Sequence, residues 1–255
     1  MAVVERERRG HVEVLRLNRP EAKNAISPEV SVAMAALLDA AEADPEVRAV
    51  VVTGTGDVFC AGADLKVVSQ GRGHEIGAAK GGFAGLTNRD FPKPIIAAVQ
   101  GPALAGGFEI VLSCDLVVAS DTSRFGIPEA QRGLIAAAGG LIRLPKRVPM
   151  ALALEMAMTG DPISAMRAAE LGLVNRVVPQ AEVLETALAL AERIGANSPI
   201  AVRLSRKLIK ESAELTEAEG WALTGKYAVE VFAHGDAIEG STAFAQKRAP
   251  NWKPA

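Results

Sequence analysis

Three segments of this chain, residues 47–53, 94–99 and 116–119, are apolar runs of strand length, the first interrupted by Arg48 and closed by Thr53. A strand with one wet face alternates apolar and polar residues. A run that is apolar at every position needs cover on both faces, as parallel strands between helical layers have. The intervening sequence carries helix spacing. Val30, Ala33, Met34, Leu37, Leu38 and Ala41 recur on one helical face, opened by Ser27-Pro28-Glu29 (a cap, a first-turn proline and an acidic first turn) and stopped by Asp44-Pro45. Residues 3–8 and 11–17 read as a hairpin around Arg9-Gly10. Strands alternate with helices to about residue 180, which predicts an α/β layered core. From Gln180 onward the spacing is helical only: Val183, Ala187, Leu190, Ile194, then Ile200, Leu204 and Leu208 after Ser198-Pro199. That tail must pack on something. Residues 70–80 form the most loop-like interior segment.

Composition narrows the partners. The 28 Lys+Arg against 30 Asp+Glu leave a net charge of −2, with no basic stripe for a polyanion, so nucleic acid is not an expected partner. Cys60 and Cys114 sit in apolar surroundings and read as small core residues. Together with three scattered histidines (11, 74 and 234, read as surface or loop positions) they make no ligand cluster, so no metal is expected. No run approaches the ~20 residues that a membrane helix needs, and the charged N-terminus has no apolar stretch after it. The expectation is a soluble, cytoplasmic protein. Gly54-Thr55-Gly56 follows a strand but has Phe59 where a dinucleotide fingerprint needs its third small residue, so that reading fails.

Two small-residue segments carry chemistry. One runs Phe59-Cys60-Ala61-Gly62-Ala63-Asp64-Leu65-Lys66, and the other Gly101-Pro102-Ala103-Leu104-Ala105-Gly106-Gly107-Phe108-Glu109. A helix opening at Gly106-Gly107 leaves backbone N–H groups free at the positive end of its dipole. With an N–H from the Ala63 loop they would make a pair of donors for an oxyanion. The plainer alternative is two tight turns that need small residues for packing. Glu109 is flanked by Phe108, Ile110, Val111 and Leu112, and Glu129 follows Pro128 after a strand-like stretch. Burial disfavours the charged form of a carboxyl and raises its pKa toward values useful for proton transfer. The alternative for either is a helix cap or a partner of Arg132 or Arg143.

The ordered set Leu17-Asn18-Arg19-Pro20, Asn24-Ala25, Ala61-Gly62-Ala63-Asp64-Leu65, 96–101, Gly106-Gly107-x-Glu109, Phe125-Gly126-x-Pro128-Glu129, Thr159-Gly160-Asp161 and 169–174 closely resembles the crotonase (enoyl-CoA hydratase/isomerase) family. The segments 82–87 and 236–248 are similar to its carnitinyl-CoA dehydratase branch. The resemblance implies an α/β fold of crotonase type: a ββα superhelix core (residues 1–195) that binds acyl-CoA, and a C-terminal helical trimerisation region (196–255). It implies a homotrimer or homohexamer in fatty-acid metabolism. Coenzyme A is part of the substrate, and no separate cofactor is needed.

The resemblance also assigns roles. Ala63 and Gly106 would supply the oxyanion-hole amides, and Glu109 and Glu129 the catalytic carboxylates. Lys23, Ala25, Ala61, Asp64, Leu65, Gly107 and Ala137 would line the CoA and acyl subsites. Two retained glutamates favour hydration: Glu109 would position and deprotonate the water, and Glu129 would deliver a proton to Cα. One departure bears on substrate and rate. Hydratases of the family usually carry Pro-Gly-Ala-Gly-Gly where this chain has Ala136-Ala137-Ala138-Gly139-Gly140, with Ala137 at the position of a water-holding amide. A specialised dehydratase of carnitinyl-CoA type and an enoyl-CoA isomerase remain as other readings. A quaternary ammonium substrate would want an aromatic cage, and of seven Phe, two Trp and one Tyr Phe83 is the one best placed for it by the motif. A non-catalytic acyl-CoA-binding protein is the alternative of a different class.

Overall fold

The computed structural model describes residues 2–253. The described residues form nine strands: β1 (Val4–Arg9), β2 (Val12–Leu17), β3 (Ala49–Gly54), β4 (Ile95–Val99), β5 (Ala103–Leu104), β6 (Leu116–Ser120), β7 (Arg124–Gly126), β8 (Ile163–Ser164) and β9 (Arg176–Val178). Helices α1 (Pro28–Ala43), α2 (Leu65–Ser69), α3 (Gly73–Ile76), α4 (Gly106–Ser113), α5 (Gly140–Arg143), α6 (Met150–Thr159), α7 (Ala165–Glu170) and α8 (Val183–Gly195) intervene or follow. The chain ends in α9 (Pro199–Ser212), α10 (Glu217–His234) and α11 (Asp236–Ala245).

Six strands make one sheet in the order β1-β2-β3-β4-β6-β9, parallel throughout except for the β1–β2 hairpin. The apolar runs lie at its centre, and every residue of β3 and β4 is buried. Their side chains divide between two cores. Val50, Val52, Ala97, Val99 and Ala119 face a core that includes Met34 and Leu38 of α1 and Phe108 of α4. Val51, Ile96, Ala98 and Val118 face Val183, Ala187, Leu188 and Ala191 of α8. Cover on both faces is why the period-two signal is missing from these strands.

A second, three-stranded sheet runs β5-β7-β8. The chain steps into it directly from the large sheet, from β4 to β5 and from β6 to β7, and after β5 turns into a helix, α4. This strand–strand–helix step is the ββα unit that the sequence resemblance implies. The loop-like 70–80 segment holds one short helical turn, α3, that sequence periodicity does not reveal; the Ser31 hydroxyl donates to the Ile76 carbonyl at 2.7 Å and anchors its end on α1.

Beyond α8 the helices share a much smaller core of Ile200, Leu204 and Tyr227. They are tied to the sheet by charge. Arg206 donates to Asp115 at 2.8 Å and to the Phe91 carbonyl at 2.7 Å, while Lys210 reaches Asp115 at 2.5 Å. Ile209, Trp221, Val229, Phe232, Ile238 and Phe244 stay exposed. Cys60 and Cys114 are buried and unpaired, and burial pushes both thiols up to about 12. His11 and His74 are exposed, whereas His234 is half-buried beside Asp236 at 3.3 Å.

Candidate active site

Small residues bring two chain crossings together. The Cys60 carbonyl accepts from Leu104 N–H at 3.0 Å, and a single bridge pairs Cys60 with Ala103. A methyl on Gly62 would lie 2.7 Å from Ala105 Cβ and 3.0 Å from Gly106 N; one on Gly107 would lie 2.1 Å from the Cys60 carbonyl oxygen. Neither position has room for a side chain. Gly106 opens α4, and Ala63 sits in a one-residue bridge to Ile26 whose bonds use its neighbours: Ile26 N–H donates to Gly62 O and Asp64 N–H to Ile26 O. The Ala63 and Gly106 N–H groups take no backbone partner among the described residues. Ala105, just before α4, holds φ +52° and ψ −131°, a conformation that an L residue rarely adopts. That turn sets the direction of the Gly106 N–H.

Glu109 lies on the first turn of α4, 3% exposed. Its Oε1 accepts from Ala138 N–H at 2.8 Å and Gly140 N–H at 2.7 Å. Desolvation raises its pKa above the usual carboxylate value, opposed by those two amides and by the Arg143 charge. Glu129 stands half-buried on the short 3-10 turn Pro128–Arg132, with Oε2 buried and accepting no hydrogen bond among the described residues. Desolvation, with a smaller contribution from the Glu109 charge, pushes Glu129 up to about 7. Both carboxyls are raised by burial, and Glu129, at about 7, keeps a proton to give near neutral pH.

The candidate CoA residues form a contiguous wall. Lys23, exposed at φ +52°, accepts from Ala61 N–H at 3.0 Å through its carbonyl. Arg19 donates to the Ala25 carbonyl at 2.7 Å and to Asp64 at 3.0 Å, and Asp64 caps α2 at Lys66 N–H. Leu65 is exposed. Buried Asn24 donates to the Thr55 and Val58 carbonyls and locks this wall to the end of β3. Sequence reading assigns no task to Arg19 or Asn24, although both stand in the quoted motif.

In the 136–140 loop, Ala137 is exposed, and the two amides that reach Glu109 belong to its neighbours Ala138 and Gly140. The missing proline and glycine of the usual motif have not cost Glu109 its donors. Phe83 packs against the α4 start; a methyl on Gly106 would fall 2.4 Å from its Cζ. No group of three or more His, Cys, Asp or Glu suited to a metal occurs among the described residues. No helix among them is long and apolar enough to cross a membrane.

Known proteins are similar to this chain along nearly its whole length. The model of the enoyl-CoA hydratase/isomerase family matches residues 7–255. A carnitinyl-CoA dehydratase from Proteus mirabilis is 41% identical over 251 residues, 96% of each chain. An enoyl-CoA hydratase from Mycobacterium tuberculosis is 41% identical over 254 residues, covering 97% of this chain and 95% of that one. Among solved structures, an enoyl-CoA hydratase from M. tuberculosis superposes over the full length of both chains with TM-score 0.95 at 44% identity. A carnitinyl-CoA hydratase from Mycobacterium avium does so with TM-score 0.79 at 43% identity. With the family model matching residues 7–255 and relatives more than 40% identical along nearly the whole chain, the chain belongs to the enoyl-CoA hydratase/isomerase (crotonase) family.

Proposed function

We propose that this protein is a hydro-lyase that adds water reversibly across the 2,3 double bond of a 2-enoyl-CoA thioester, with no cofactor beyond the CoA carried by the substrate. The observation that carries the reading is the carboxyl pair: Glu109 held by two amides and Glu129 displaced to about 7. Water attack at Cβ puts negative charge on the thioester oxygen, which the Ala63 and Gly106 amides would receive. Glu109 orients the water and takes its proton. Glu129 gives a proton to Cα, and the roles reverse for dehydration. Lys23, Ala25, Ala61, Asp64 and Leu65 would line the CoA path, with Gly107 and Ala137 beside the acyl group. The exposed apolar residues of 196–255 support a trimer or hexamer.

A specialised dehydratase acting on a carnitinyl-type thioester is the second reading, favoured by the 41% identity to such an enzyme and by Phe83 at the Gly106 turn. The test follows loss of the conjugated enoyl-thioester absorbance with crotonyl-CoA. Wild type should consume it, and Glu109→Gln and Glu129→Gln should each lose about 10²–10⁴ in kcat while still binding the thioester. Thioester binding without consumption, answered by turnover of a β-hydroxy-γ-trimethylammonium acyl-CoA, would favour the second reading. Binding without turnover of either substrate would leave an acyl-CoA-binding protein.

A further inference from the structure

Arg143 is half-buried at the end of α5 and takes part in no ion pair at salt-bridge distance among the described residues. Its guanidinium is used otherwise. Nη2 donates to the Thr87 carbonyl at 2.6 Å, and Nη1 points to the Ala138 carbonyl at 3.3 Å. Thr87 closes the loop that carries Phe83. Ala138 is one of the two residues whose amides hold Glu109. One side chain therefore joins the segment that lies over the Gly106 turn to the segment that grips the carboxylate.

Space has been kept for it. Gly139 holds φ +104°, and a methyl there would lie 2.0 Å from Arg143 Nη1. The charged and titratable groups that act on Arg143 are Glu109 of α4, Arg147 and the buried Cys114 thiol. The charge that acts on Glu109 is that of Arg143, and Glu109 in turn acts on Glu129. Arg143 is thus the cation, among the described residues, set against Glu109. A planar guanidinium serves two carbonyls in a fixed geometry while presenting charge to a third group, whereas an ammonium on a flexible stem has no such rigid fork.

We propose that Arg143 is the positioning residue of the site: it fixes the Phe83 loop and the Glu109 clamp relative to each other, and it sets a positive charge toward Glu109. This rests on the hydratase reading for its kinetic consequence but not for its electrostatic one, so the two are tested separately. The first readout is the ¹³C-carboxyl NMR titration of glutamate-labelled protein, with the Glu109 signal assigned by its loss in Glu109→Gln. In Arg143→Gln the Glu109 midpoint should rise by about one pKa unit, the effect expected of removing a nearby opposite charge. In Arg143→Lys, which keeps charge but not both hydrogen bonds, it should stay near wild type.

The second readout is hydration of crotonyl-CoA. Both variants should lose about 10- to 100-fold in kcat from misplacement, with KM within about threefold. The acid limb of kcat/KM should move up only in Arg143→Gln. A Glu109 midpoint unmoved in Arg143→Gln, or a kcat unchanged in either variant, overturns the proposal. Absence of hydration by wild type would sink the hydratase reading instead, and the carboxyl titration would still decide the role of Arg143.

Discussion

At the scale of single residues, the site is built from positions where the backbone or a carboxyl is held away from its easy state. Ala105 occupies positive φ without being glycine. Such a residue costs on the order of 1–3 kcal/mol, and Ala105→Gly should therefore raise stability by about 1 kcal/mol in chemical denaturation. A loss of stability would show that Ala105 is not strained. Glu129 offers a second check through linkage. Its folded-state pKa of about 7 lies above the ordinary 4.5. Between those values the folded protein holds a proton that the unfolded chain has released, so stability falls as pH rises through the window and the penalty is complete above 7. Glu129→Gln should thus be more stable than wild type at pH 8, by about 1–3 kcal/mol, and closely matched at pH 4.5. Equal melting temperatures at pH 8 would contradict the displaced pKa.

The elements that hold these residues differ in how far their sequence announces them. The α4 start is legible from Gly106-Gly107 after an apolar strand, and the burial of Glu109 from its flanking Phe108, Ile110 and Val111. The partners of Glu109 are not, because Ala138 and Gly140 lie some thirty residues away and meet it only when α5 packs on α4. Arg143 looks on paper like a salt-bridge partner for either glutamate; instead it donates to carbonyls on two loops. The Phe83 loop is equally opaque. Gly81, Gly82, Ala84 and Gly85 all take positive φ, and a methyl on Gly85 would lie 2.6 Å from Ala35 N of α1. Gly85→Ala should accordingly cost several kcal/mol (about 2–4) through strain and overpacking. It should also change acyl selectivity more than CoA affinity, read as kcat/KM ratios across thioesters of different acyl size. Unchanged ratios would separate this loop from the acyl group.

For the molecule as a whole, the three apolar runs already dictate a sheet covered on both sides, and α1, α4 and α8 provide that cover. What a single chain leaves unresolved is the tail. Phe232 and Phe244 are 71% and 87% exposed on α10 and α11, over a core of only a few buried side chains. Sedimentation should give a mass of three or six times 26.6 kDa, and Phe232→Asp should shift it toward smaller species. A monomeric wild type would contradict the assembly reading.

The central claim is that Glu109 and Glu129 divide the work of base and acid, Glu109 held by two amides and Glu129 raised by burial to about 7. The most direct measurement is the pH dependence of kcat/KM for crotonyl-CoA hydration, which reports the free enzyme. The account predicts an alkaline limb near pH 7, with the rate falling about tenfold per unit above it as Glu129 loses the proton that Cα must receive. A profile flat through pH 9 would contradict it.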